Sequence, residues 1–300
     1  MVQLRSDLLT PALQRGDEVV TVAASSALED EQSLLEGLKV LQEWGLVCRP
    51  QQVSERRWGY LAGDDASRQR DLNPESPAAL LACARGGWGA ARLLEHKQTW
   101  QPGWLMGFSD VTALLWARLA AGFDGCVHGP LLTTLAKEPA WSQARLHDLL
   151  FGKHIPNLKG QPWMGGVASG PLVVANLTVA SHLLGSSHVP DLNGAILILE
   201  DVDEAPYRID RMLTHWRLTG LLQRLAGLGF GSFEGCEAPE QMPADQTFQL
   251  EEVLKERSAD LGIPVVGKLP VGHCCGNAAL PLGQTAVLNG DTGCLSVISS

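Results

Sequence analysis

Basic charge is scarce in this chain of 300 residues: 23 Lys and Arg stand against 33 Asp and Glu, for a formal net charge of -10. A nucleic-acid binder needs a basic stripe to displace counterions from phosphate, and docking on an anionic membrane surface needs charge of the same sign. Neither nucleic acid nor membrane is therefore expected as a partner. No apolar run approaches the roughly 20 residues of a spanning helix. Residues 1–16 carry scattered polar groups and no continuous apolar stretch of secretory type. The seven cysteines (Cys48, Cys83, Cys126, Cys236, Cys274, Cys275 and Cys294) include no C-x-x-C pair, and none is framed by histidines as a zinc site would be. No metal site and no disulfide framework are expected, and a reduced, cytoplasmic setting is the default. H-E-x-x-H, the P-loop and a complete G-x-G-x-x-G are also missing, which leaves zinc proteolysis and nucleotide binding without a motif.

What is present is an apolar content of 45%, enough for about two domains with real cores. In the first half, short apolar runs alternate with helical patterns. Glu18 to Ser25 reads as a strand, and Glu29 to Trp44 as a helix with Leu34, Leu35, Leu38 and Leu41 at helical spacing. Gly45 ends that helix, and Leu46 to Arg49, Leu80 to Ala84 and Trp104 to Phe108 read as further strands. This alternation predicts an α/β fold with a parallel sheet covered on both faces. The pattern lapses after Phe151, and residues 156–170 read as a linker between a domain at 1–155 and a second at 171–300. In the second part Asn176 to Leu184 and Leu250 to Leu261 read as helices, and a further helix begins near Ile209. Ala195 to Leu199 and Val265 to Lys268 read as strands, and Asn289-Gly290 opens a hairpin turn.

Four stretches could carry chemistry. In Gly107-Phe108-Ser109-Asp110 a strand runs into a helix, a turn that lifts a serine out of the sheet edge toward backbone N–H groups; G-x-S-x-G is not met, and Ser109 as a plain N-cap is the competing reading. Arg85-Gly86-Gly87-Trp88-Gly89 follows a strand and suits an oxyanion hole of glycine N–H groups, or merely a tight turn. The acids Glu200, Asp201, Asp203 and Glu204 close an apolar strand, where open α/β sheets place ligands. His273, enclosed by Gly272 and Gly276, has the most site-like setting of the eight histidines, whereas His128 reads as a core histidine. Serine, acid and histidine in the order Ser…Glu…His also occur in α/β-hydrolases, where the serine attacks, the histidine takes its proton and the acid holds the imidazole tautomer.

With GDEVVTVAASS, ARGGWGAARLL, GFSDVTALL, HGP, ILILEDVDEAPYRIDRML and GIPVVGKLPVGHCCGNAALPLG in this order, the chain resembles the LD-carboxypeptidase family of serine peptidases, which includes the microcin-immunity peptidases. The resemblance implies a Rossmann-like N-terminal domain with a parallel sheet, a smaller β-rich C-terminal domain, and an active site between them. It implies Ser109 as nucleophile, His273 as general base and Glu200 as triad acid, with Glu204 the rival for that place. Asp110 and the Gly86-Gly87 pair would supply the oxyanion hole, and Arg85 and Trp88 would contact substrate. It further implies a homodimer without cofactor or metal, acting on a murein peptide. The expected reaction is release of the terminal D-alanine from cytoplasmic murein tetrapeptide. Alternatives are a related amidase acting on aminoacyl-nucleotides, a non-catalytic peptide-binding protein on the same fold, and a metal hydrolase built on the acidic cluster. Departures from the family pattern are Ala24-Ser25-Ser26 after the first strand, Val174-Ala175-Asn176, and Trp88 in place of Tyr.

Overall fold

The computed structural model describes residues 10–239, 243 and 245–298; residues 1–9, which open the first expected domain, lie outside that set. Five short apolar runs form parallel strands: β1 (Glu18–Val22), β2 (Val47–Cys48), β3 (Leu80–Cys83), β4 (Trp104–Gly107) and β5 (Cys126–His128). Four of the five residues of β1 and all of β3 and β4 are buried, as strands covered on both faces must be. The helices of this half are α1 (Glu31–Glu43), α2 (Asp65–Leu72), α3 (Thr112–Ala120), α4 (Leu132–Leu135) and α5 (Ala140–Leu150). Asp30 caps α1 by accepting from Gln32 N at 2.8 Å and Ser33 N at 3.0 Å.

The remainder builds β6 (Leu158–Lys159), β7 (Gln161–Met164), β8 (Val167–Asn176), α6 (Leu177–Leu183), β9 (Ile196–Val202), α7 (Pro206–Leu218), β10 (Gly227–Glu234), α8 (Leu250–Ser258), β11 (Val265–Gly267), β12 (Leu280–Leu282), β13 (Thr285–Asn289) and β14 (Cys294–Val297). The second sheet has the order β6-β14-β13-β8-β9-β10-β11-β7, with β8 to β11 parallel and antiparallel strands outside them. The expected α/β class, parallel first sheet and β-rich second part are all present.

Two expectations are corrected. Residues 156–170 are not a free linker: β6, β7 and the first part of β8 fall within them and pair in the second sheet. These are partly exposed outer strands, and Pro162 is tolerated because β7 is an edge. Nor is 171–300 a self-contained unit, because β12 crosses back and pairs antiparallel with β5 (Leu280 opposite His128) at the end of the first sheet.

The first sheet runs β12-β5-β4-β3-β1-β2, so the strand order reverses between β1 and β3. In such doubly wound sheets the crevice for ligand lies beyond the carboxyl ends of the strands at that reversal. Between the two sheets sits α3, with residues 112–119 all buried; a helix apolar on every side belongs in an interior. Its Trp116 indole donates to Val174 O of β8 at 3.0 Å, and Thr112 Oγ1 accepts from Asn176 N at 3.1 Å. One apolar core therefore runs from Val20 and Leu105 through Leu114 and Trp116 to Leu172 and Ile198.

Candidate active site

Ser109 occupies the turn between β4 and α3, opening a short 3-10 segment, with Phe108 rather than Ser109 in the capping position. Its φ is 63°, a left-handed conformation that costs a non-glycine residue energy and persists where surrounding structure imposes it. The plain N-cap reading does not hold. Phe108, immediately before it, is buried, and Ser109 itself is partly exposed. Asp110 is buried, and its carboxylate accepts from Ala90 N at 2.8 Å, which ties the serine turn to the glycine loop. Burial pushes the Asp110 pKa up against that stabilising bond.

The glycine loop leaves the carboxyl end of β3 at the strand reversal. A side chain at Gly86 would put its Cβ 2.9 Å from Ser109 Oγ, so glycine is what allows the loop to pass the serine so closely. Ser26 N donates to Gly86 O at 3.3 Å, and Trp88 N donates to Ser26 Oγ at 3.0 Å. Among the described residues the N–H groups of Gly86 and Gly87 donate to no protein acceptor, the condition an oxyanion hole requires.

The second sheet supplies the other half. Glu200, completely buried on β9, accepts through Oε2 from His273 Nδ1 at 2.7 Å and from His273 N at 3.2 Å. Gly272 approaches this carboxylate so closely that any Cβ would collide with Glu200 Oε2. Glu200 is the acid in contact with His273; Glu204 Oε2 takes Arg208 Nη1 at 3.3 Å, and Asp201 takes Asn176 Nδ2 at 3.0 Å and Thr178 N at 2.9 Å. Asp201 and Glu204 share Thr178 Oγ1, at 2.8 and 3.5 Å, and among the described residues no three of the acids, histidines and cysteines are grouped as a metal site. Burial alone would push the His273 pKa down. The hydrogen bond that His273 donates to Glu200 and the charges of Glu200, Asp201 and Asp203 outweigh it, and the net shift is upward.

The halves meet at Phe108, whose ring centroid lies 4.8 Å from that of His273. The residue before the serine thus packs on the imidazole carried by the loop between β11 and β12. Gly86 lies beside Ser109 and the Asp110 N, whereas Gly87 lies against Ser26. Arg85 is turned to Ala27 O at 2.9 Å and Glu29 Oε1 at 3.1 Å. Trp88 is 67% exposed and meets Tyr60 edge-on at 6.4 Å. All seven cysteines are free thiols; burial pushes Cys274, beside His273, up to about 11, so it is no competing nucleophile.

Sequence reasoning missed Glu138, which accepts from Gly276 N at 3.1 Å and Asn277 N at 3.0 Å and so anchors the histidine loop from the first half of the chain. No local signal marks it. Asn277, visible in the GHCCGN stretch, closes the loop by accepting from Gly272 N at 2.8 Å.

Residues 19–129 match the model of the LD-carboxypeptidase N-terminal domain, and residues 169–288 that of the LD-carboxypeptidase C-terminal domain. A Synechocystis sp. protein named only provisionally as a carboxypeptidase is 46% identical, covering 99% of this chain and 100% of its own length. The murein tetrapeptide carboxypeptidase of Pseudomonas aeruginosa is 33% identical over 91% of this chain and 93% of its own. Among solved structures, muramoyltetrapeptide carboxypeptidase from Oxalobacter formigenes superposes with a TM-score of 0.80 at 25% identity, covering 93% of this chain and 97% of that one. MccF in complex with glutamyl sulfamoyl guanosine superposes at 0.86 with 19% identity, over 98% and 99%, a likeness of fold.

Proposed function

The chain belongs to the LD-carboxypeptidase family, and from that premise we propose that it is a serine peptidase releasing the terminal D-alanine of a cytoplasmic murein tetrapeptide during peptidoglycan recycling. The observation that carries the reading is the buried Glu200–His273 pair, joined at 2.7 Å, packed through Phe108 against the strained Ser109 turn. The relatives' names supply the substrate class.

Ser109 Oγ attacks the carbonyl of the L-configured residue that precedes D-alanine. His273 Nε2 accepts the serine proton, while Glu200 Oε2 holds Nδ1–H and with it the reactive tautomer. The N–H groups of Gly86 or Gly87 and of Asp110 receive the developing oxyanion, a contribution of about 3–4 kcal/mol per donor in comparable enzymes. His273 then passes the proton to the departing amine of D-alanine, and water hydrolyses the acyl-serine by the same route reversed. Trp88 at the rim contacts the peptide. Arg85 reaches a substrate carboxylate only by exchanging Glu29 for it. A homodimer and a cytoplasmic location belong to the same proposal; among the described residues no helix is long and apolar enough to cross a membrane.

The test is release of D-alanine from tetrapeptide by the purified protein and by Ser109→Ala. The variant should fold and lose turnover by at least about a thousandfold. Retained activity removes the nucleophile assignment. Cleavage of an aminoacyl-sulfamoyl nucleoside in place of tetrapeptide by the same preparation shifts the reading to the amidase alternative. Peptide binding without turnover of either substrate shifts it to the non-catalytic one.

A further inference from the structure

Behind the Glu200–His273 pair, three buried polar side chains have atoms with no protein hydrogen-bond partner among the described residues: Glu200 Oε1, both ring nitrogens of His128, and Asn277 Nδ2. All three residues are 0–1% exposed. Buried polar atoms in native proteins are satisfied with few exceptions, and an unsatisfied carboxylate oxygen is among the costliest to leave alone.

The fold brings the three together. His128 ends β5 opposite Gly107, two residues before the serine, and on its other side opposite Leu280 of β12. Asn277 lies three residues before Leu280, in the loop that carries His273 and is closed by Ala278 N donating to Pro270 O at 2.9 Å. The Phe108 ring adjoins both imidazoles, with centroids 5.7 Å from His128 and 4.8 Å from His273. Burial pushes the His128 pKa down to about 4, Glu200 opposes that shift and His273 adds to it, so His128 is neutral at pH 7 and lies within electrostatic reach of the pair. A neutral imidazole keeps one N–H to donate.

We propose that His128 is a positioning residue for hydrolysis: with the Asn277 amide it donates to one internal water, which in turn donates to Glu200 Oε1 and fixes the carboxylate whose other oxygen orients His273. The proposal rests on the roles given above to Glu200 and His273. Internal waters serve groups of this kind, with about three polar partners each.

The consequence is a sign. The Glu200 carboxyl holds Nδ1–H in both protonation states of His273. The state with neutral His273 carries the uncompensated negative charge and gains more from donors at Oε1. Removing those donors favours protonated His273. The other groups acting on His273 are Asp201 and Asp203, and Glu138 and Glu234 act on the adjoining Cys274; His128→Leu leaves all four in place.

The test is NMR titration of the His273 ring in the wild type, His128→Leu and His128→Gln. Leu should move the His273 midpoint upward by about one pH unit, equivalent to about tenfold less neutral base on the acid limb. Gln, which keeps a donor, should restore most of the difference. A folded His128→Leu protein with the wild-type midpoint overturns the proposal. Should that variant not fold, the wild-type ring decides: His128 must stay neutral well below pH 6 with one N–H protected from exchange, and titration near the ordinary histidine value or an unprotected N–H overturns it. Ring titration needs no substrate, so failure to hydrolyse tetrapeptide refutes the proposed function and leaves this result standing on its own.

Discussion

Glu200→Gln separates orientation from mere packing. The side chain is fully buried and accepts two hydrogen bonds from one residue, His273 Nδ1 at 2.7 Å and His273 N at 3.2 Å. Glutamine keeps the volume, removes the charge and can turn an NH2 toward the ring, which then carries its proton on Nε2 and cannot act as base. Two unit charges about 4 Å apart attract by about 4 kcal/mol at an effective dielectric near 20. Losing that attraction and the correct tautomer should cost about 3–5 kcal/mol of transition-state stabilisation, or about 10²–10⁴ in kcat/KM. The pH profile adds a second readout. In the wild type burial pushes the His273 pKa down, and Glu200 together with Asp201 and Asp203 pulls it up by more. The variant loses the Glu200 share of that pull, so the acid limb of kcat/KM should move to lower pH while the plateau drops. Stability follows the same linkage. A raised histidine contributes fully below its unfolded pKa near 6.5, and the contribution fades as pH rises through the folded value; the glutamine variant should lack that fading. The measurements are kcat/KM from pH 5 to 9 and melting temperature over the same range. A plateau within about threefold of wild type, or a lower plateau with the acid limb unmoved, refutes the orienting role of Glu200.

Gly86→Ala should fold with a melting temperature close to wild type and lose about 100-fold in kcat, because its Cβ would sit 2.9 Å from Ser109 Oγ and displace an oxyanion donor; activity within a few-fold of wild type excludes that loop from the oxyanion hole. Glu138→Gln should raise the hydrogen-exchange rate of the Gly276 and Asn277 amides by about tenfold and lower kcat/KM by a similar factor, since both N–H groups lose a charged acceptor that fixes the histidine loop; unaltered exchange at those two amides removes Glu138 from the account.

The parts of this molecule written in local pattern were readable from the residues, and the parts written in long-range pairing were not. β1, β3 and β4 are short apolar runs bounded by turns, and α1 has both its cap and its leucine period. The serine turn, the glycine loop, the acid Glu200 near the end of β9 and the glycine-framed histidine each left a local trace. Glu138 did not, because its partners lie 138 and 139 positions away and neighbours in sequence say nothing of them. β8 was obscured by its own change of environment: its first five residues are exposed or half-buried on the outer ladder, and its last five are buried against α3. No single period spans both. β12 is only Leu-Pro-Leu, and what makes it a strand is the edge of β5, more than 150 residues earlier. His128 reads as a core histidine because its surroundings are apolar, and the polar groups that give it another meaning come from β9 and from the loop before β12.

The same long-range pairing explains how a site split between two sheets is held in place, with Phe108 beside Ser109 packed on the His273 ring. If the two halves were joined only by a linker, Ser109 and His273 would be placed by whatever contact the domains happened to make. Instead three covalently remote ties converge on them. Thr112, three residues after the serine, accepts from Asn176 N, which lies opposite Glu200 in the β8–β9 ladder. Glu138 holds the histidine loop from the helical side of the first half, and β12 joins the far end of that loop to β5 beside Gly107. A displacement of His273 away from Ser109 therefore has to break strand pairing or buried hydrogen bonds in the common core, not merely open a hinge. That rigidity is what the proposed nucleophile and base require when 1 Å of misplacement can cost about 100-fold in rate.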